Sequence, residues 1–218
     1  MSDSDSFISE VSEEVRRDRM FALWRKYGPF LIGAIALIVA AAGLKAYLDA
    51  EERAAAQQAG GALIAASEGD LDEQAAALAA LAENSDHEGT RLLAELRVAG
   101  VLAAEGDSAA AAEAYDRIAA SASSDLLIRD FATYRAVMLR GAEMESAAFA
   151  DALSSIANGP GPFRLLAMEA RGIALVRAGD QQAGEDELRA AHSAEAAPQA
   201  LRQRIEVLMT ALGGSLDN

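Results

Sequence analysis

AGVLAAEGDSAAAAEAYDRI, residues 99–118, reads as two short helices joined by a tight turn at Gly106-Asp107. Ala99 is the small residue of the first helix and Leu102 a bulky one a turn later. Glycine reaches the left-handed conformation that ends a helix at little cost. The aspartate after it can cap the next helix by accepting backbone N–H bonds. Ala111, Tyr115 and Ile118 then follow at spacings of four and three, which place them on one helix face. The alanine permits close approach to the first helix, and the tyrosine fills the groove beside it.

Working outward, the pattern recurs. Gly69-Asp70, Gly106-Asp107, Gly141-Ala142 and Gly179-Asp180 interrupt helical runs at intervals of 37, 35 and 38 residues. A helix-turn-helix solenoid, the tetratricopeptide repeat, has a period of about 34 residues. Around Gly179, Gly172 and Leu175 take the first-helix positions, and Gly184, Leu188 and Ala191 the second. The Gly141 unit fits more loosely: Val137 and Leu153 match, but Tyr134 replaces the small residue. The Gly69 unit keeps Leu78 and Leu81 and has Gln74 where a small residue belongs. Loops at 83–89, 121–125 and 158–162 separate the units, and a last helix from about Pro198 to Leu212 is expected to cap the stack. The fold class expected is all-α: one N-terminal transmembrane helix, then a tetratricopeptide-like α-solenoid of about four helix pairs.

The transmembrane helix is expected at residues 27–48. Tyr27 to Leu44, YGPFLIGAIALIVAAAGL, holds no charge and is closed by Lys26 and Lys45. At about 1.5 Å per residue it covers roughly 27 Å as a helix, and it spans comfortably if Lys45 bends toward the headgroups. Arg16, Arg17, Arg19, Arg25 and Lys26 precede it. Basic flanks stay in the cytoplasm, so residues 1–26 form a cytoplasmic tail and residues 49–218 an exported domain. A buried core helix and a cleaved signal peptide are the rival readings of the same stretch. Gly33, Ala36, Ala40 and Gly43 form a small-residue stripe, either a surface on which another membrane helix can dock or the chance product of an alanine-rich chain.

Residues 1–45 carry six basic and six acidic side chains, so the net charge of −15 belongs to the remainder, with thirteen basic and twenty-eight acidic. Such a domain repels phosphate backbones, which argues against nucleic acid as a partner. With no cysteine, disulfides, thiol catalysis and cysteine-ligated metals are excluded. No catalytic, cofactor-binding or metal-binding residue is expected. His87 and His192 lack ligand spacing, and Glu51-Glu52, Asp70 to Glu73 and Glu185 to Glu187 read as solvated helix starts or faces. Asn158 to Pro162 is a rigid turn without the lysine and hydroxyl of a phosphate loop.

Stacked first helices line the concave face of such solenoids. By the repeat count, Leu93, Leu96, Ile128, Phe131, Arg135, Met138, Ile173, Val176 and Arg177 are candidates for a partner groove, or else for core in so small a domain.

A basic tail, one membrane helix and an acidic, degenerate tetratricopeptide-like domain resemble the YfgM-like family of ancillary subunits of the bacterial Sec translocon. Arg171-Gly172-Ile173-Ala174-Leu175 and Gly179-Asp180 resemble that family's RG-x-AL…GD segment. The resemblance implies a single-pass inner-membrane protein with a periplasmic domain. It also implies association with the SecYEG translocon and with a membrane-anchored periplasmic chaperone of the prolyl-isomerase type, and no catalytic residue. A cell-envelope assembly or division scaffold with the same fold is the alternative.

Overall fold

A computed structural model describes residues 3–121 and 125–214; the side chains of residues 3–24, 26, 28, 29, 31, 32 and 34–36 lie outside that description. Every described element is helical. The chain divides into two compact units, Met1–Ala59 and Gly60–Asn218.

The first unit is part of one long helix, α1, Asp3–Ala65. Its described large apolar side chains, Leu37, Ile38, Val39, Leu44 and Tyr47 among them, are exposed, Leu37 to 71%. Among the described residues no helix is long and apolar enough to cross a membrane. The membrane helix expected at 27–48 is thus not found among them, and seven side chains of that stretch, at 28, 29, 31, 32 and 34–36, fall outside the description. In the stripe expected for helix docking, Gly33, Ala40 and Gly43 are exposed and Ala36 is outside the described residues. A methyl group added at Gly33 or Gly43 meets no other atom within 4 Å.

The second unit comprises the end of α1 and α2 (Leu71–Asn84), α3 (Glu88–Ala104), α4 (Ser108–Ala120), α5 (Leu126–Arg140), α6 (Ser146–Ala152), α7 (Ser154–Ala157), α8 (Arg164–Arg177), α9 (Gln181–Ser193) and α10 (Gln199–Leu212). Its turns follow from local chemistry. Gly69, Gly106 and Gly179 have φ of +95°, +89° and +95°. After two of them the chain closes the helix with a six-residue bond: the Asp107 N–H donates to the Leu102 carbonyl and the Asp180 N–H to the Leu175 carbonyl, both at 3.0 Å. Asp70, Asp107 and Asp180 then accept the N–H groups of Glu73, Ala110 and Ala183 at 3.0, 3.0 and 3.2 Å. A methyl group at Gly106 meets nothing within 4 Å, so its glycine serves the backbone angle alone. Gly106→Ala is therefore expected to cost about 1 kcal/mol, the left-handed penalty of an L-residue, measured by chemical unfolding.

Gly141 departs from this set. Its φ is −57°, an ordinary helical value. The residue is small because a side chain there would meet the Phe149 ring at 2.6 Å. No aspartate follows it, and the second helix of that unit is broken into α6 and α7 around Leu153, which is fully buried. The fourfold turn expected from the sequence thus holds at three positions and is replaced at the fourth by a ring-on-backbone contact.

Three clusters form the core. The end of α1, α2 and α3 pack through Leu63, Ala66, Leu78 and Val101. α3, α4 and α5 pack through Ala99, Ala112, Tyr115, Ile118, Ala132 and Ala136. α5 to α10 pack through Leu153, Ile156, Leu188, Leu201, Ile205 and Met209. Each fully buried leucine or isoleucine contributes roughly 1.5–3 kcal/mol through burial. In the first pair α1 enters the cluster only near its C-terminal end, at Leu63 and Ala66. Gln74, in place of a small residue, donates its amide to the Gly69 carbonyl at 2.9 Å. In the third pair Tyr134, in place of a small residue, stacks on Phe163, whose ring meets Phe131, which meets Tyr115 edge-on at 5.9 Å. α10 buries Leu201, Ile205 and Met209, exposes Gln203, Arg204, Glu206 and Val207, and so closes the stack with a mainly polar face.

Candidate interaction cleft

The cleft with the best claim to function lies where the C-terminal end of α5 and the lead into α6 face α8. It encloses about 260 Å³ and is lined by Met138, Met144, Phe149, Ile173 and Arg177, with Gly141, Ala142 and Ala170 between them. The sequence explains the shape. Gly141 lets the Phe149 ring come close to the backbone, so α6 is drawn under the end of α5. α8 presents Ala170, Ile173 and Arg177 at spacings of three and four, hence on one face. The walls are flexible thioethers and a ring, surfaces that adapt to the shape of what they bind.

The expected groove residues divide. Met138, Ile173 and Arg177 come together in this cleft. Leu93 is 51% exposed on α3, away from it. Leu96, Ile128 and Phe131 pack against the α3–α4–α5 core and do not form an open face. Arg135 lies over the Tyr115 ring, its guanidinium carbon 5.6 Å from the ring centre. Val176 is covered by α9, where a methyl group on Gly184 would meet its Cγ2 at 2.5 Å. The sequence reading missed Met144 and Phe149, because both follow the irregular Gly141 turn and have no place in a regular repeat count. It also missed Arg97 on α3, which donates to the Ser67 hydroxyl.

The cleft holds no acid–base pair. Three of the carboxylates singled out in the sequence have structural partners: Glu187 accepts from Arg171 at 2.9 Å, Asp186 from Arg189 at 2.6 Å, and Asp70 caps α2. His192 faces Glu206 at 3.2 Å, and His87 stands exposed before α3. Among the described residues no group of His, Asp or Glu gathers closely enough to hold a metal ion. Two further clefts exist. One of about 340 Å³ between α2, α3 and α4 mixes Glu83, Glu88 and Glu95 with Arg91 and Arg117. The other, of about 470 Å³, lies between the 160–162 turn and the start of α10.

Among the described residues one carboxylate is buried. Asp130 on α5 is 8% exposed, and its side chain is packed against Gly161 of the proline-rich turn. Burial raises its pKa above the ordinary aspartate value, with neighbouring Arg129 opposing. The native state therefore holds the proton more tightly than the unfolded chain. The resulting destabilisation is absent below the ordinary aspartate range and grows as pH rises to the raised native value. Asp130→Asn is expected to melt above the parent at neutral pH, and the difference should vanish in acid. Melting curves across that range check it.

A family model described as a tetratricopeptide repeat-like domain matches residues 22–214. The chain belongs to that family. No curated protein and no solved structure matches the chain. Membership agrees with the all-helical pairs, the left-handed glycine turns and the small residues at Ala99, Ala111, Gly172 and Gly184. Tetratricopeptide repeat-like domains are protein-interaction modules, and the chain is one by that membership.

Proposed function

We propose that this tetratricopeptide repeat-like chain is a non-catalytic interaction protein held at the inner membrane of a bacterium by residues 27–48. Its N-terminus lies in the cytoplasm and its helical stack in the periplasm. There it associates with the SecYEG translocon and a membrane-anchored periplasmic chaperone of the prolyl-isomerase type, and so assists exported chains. The observation that carries the reading is the cleft between α5, α6 and α8, open to a protein segment on a fold built for such contacts.

The membrane part rests on two further facts. The apolar side chains from Leu37 to Leu48 stand exposed along α1, a surface that favours burial in lipid. Five basic residues precede the stretch, a flank that supports a cytoplasmic N-terminal end. An anchor also raises the local concentration of the domain at the channel without any new contact. The test is affinity isolation of the full chain from detergent-solubilised membranes. Recovery of SecYEG together with a periplasmic chaperone is expected. Recovery of envelope-assembly or division proteins in their place would overturn the reading.

A further inference from the structure

The second unit sorts its charges by helix. Acids cluster on two second helices, Asp72, Glu73 and Glu83 on α2 and Glu185, Asp186 and Glu187 on α9, while the first helix α3 carries Glu88 and Glu95. The first helices α5 and α8 carry three arginines each against one acid each. Those two acids are not free to face a ligand, since Asp130 is buried and Glu169 holds Arg204 through both its oxygens. In the cleft lining α5 contributes Met138 and α8 contributes Ile173 and Arg177, and Arg177 is the one charged side chain among the lining residues. α3 shows the same pairing at Leu93 and Arg97. Among the described residues neither Arg135 nor Arg177 has a carboxylate partner. In a domain with twenty-eight acids and thirteen bases, a cleft with no acid in its lining and Arg177 at its lip is a place where an anionic group is attracted rather than repelled.

From this sorting we infer that the α5–α6–α8 cleft binds an acidic amphipathic segment of a partner protein, with a bulky apolar side chain seated in the cleft and carboxylates at its rim. The inference rests on the interaction role given above and names the chemistry of the segment. The volume of about 260 Å³ is below that of typical small-molecule sites, about 300–1,000 Å³, and suits a single side-chain anchor. Met138 and Met144 adapt to leucine, methionine or phenylalanine alike. Arg177 at the lip offers the planar donor fork that carboxylates match. A basic segment meets the same arginine as a repulsive element, so the cleft selects by charge as well as by fit.

The test uses the full chain in neutral detergent and three synthetic peptides of equal length. The first carries one leucine flanked by glutamates. The second has lysines in place of the glutamates, and the third has serine in place of the leucine. Fluorescence anisotropy should show the first binding about tenfold or more tightly than either other, with affinity falling as salt rises. Arg177→Glu should lose about tenfold for the first peptide and gain for the second, with an unchanged melting curve because Arg177 is exposed. Met138→Ser should weaken the first peptide without reversing the charge preference. Equal binding of the glutamate and lysine peptides would overturn the inference. So would Arg177→Glu binding like the parent, displacement of the first peptide by anionic lipid vesicles, or occupation of the cleft by a second copy of this chain. None of these outcomes alters the recovery of SecYEG by affinity isolation, which tests the function separately.

Discussion

Replacing Gly184 with leucine is expected to unpack the C-terminal helix pair and to cost about 3 kcal/mol or more in chemical unfolding. Gly172 on α8 and Gly184 on α9 let the two backbones touch. The first atom of any side chain at 184 would lie 2.5 Å from the Gly172 carbonyl oxygen and 2.9 Å from the Val176 nitrogen. Both obstacles are backbone, so no rotamer change relieves them. At Gly172 the obstacles are the Leu188 side chain at 2.8 Å and the Gly184 carbonyl at 3.0 Å. Even Gly184→Ala should lose stability, although alanine favours a helix over glycine by about 1 kcal/mol, because the clash exceeds that gain. Gly60→Ala is the contrast. That glycine lies in helix α1 with open space around its Cβ, so the same propensity term acts alone and the variant should be as stable as the parent or more so.

Tyr115→Ala is expected to cost about 3–5 kcal/mol in the same measurement, on the scale of other buried aromatic truncations. Tyr115 is 3% exposed and stands at the centre of the α3–α4–α5 cluster. Its ring meets Phe131 edge-on and carries Arg135 on its face. Truncation leaves a cavity among alanines, which are too short to fill it. It also removes the ring beneath the Arg135 guanidinium.

The sequence made the helix pairs legible where local chemistry is repeated. Ala99, Ala111, Tyr115 and Ile118 are buried around a left-handed Gly106, and Gly172, Gly184 and Leu188 around Gly179. Short-range signals, a glycine turn and an aspartate cap, define those units before any tertiary contact forms. The Gly141 unit was not legible, because its glycine answers to Phe149, a contact across a turn of irregular length. The same irregularity hid Met144 and Phe149 from the cleft. A repeat count also cannot distinguish a first-helix residue that faces outward from one that meets the next unit. Leu96, Ile128 and Phe131 went to the core for that reason, while Met138 and Arg177 remained exposed and Ile173 both packs on the core and lines the cleft. The helix expected to cross the membrane was read from its uncharged length and basic flank, and seven of its side chains, at 28, 29, 31, 32 and 34–36, lie outside the description.

The most direct test of the account places a photoreactive amino acid in the full chain in living bacteria, in one strain at Ile173 inside the cleft and in another at Gln182, exposed on α9. The account predicts that light links position 173 to a subunit of SecYEG or to its periplasmic chaperone, and that position 182 links to neither. Capture of both at equal yield from the two positions, or of neither from position 173, would contradict it.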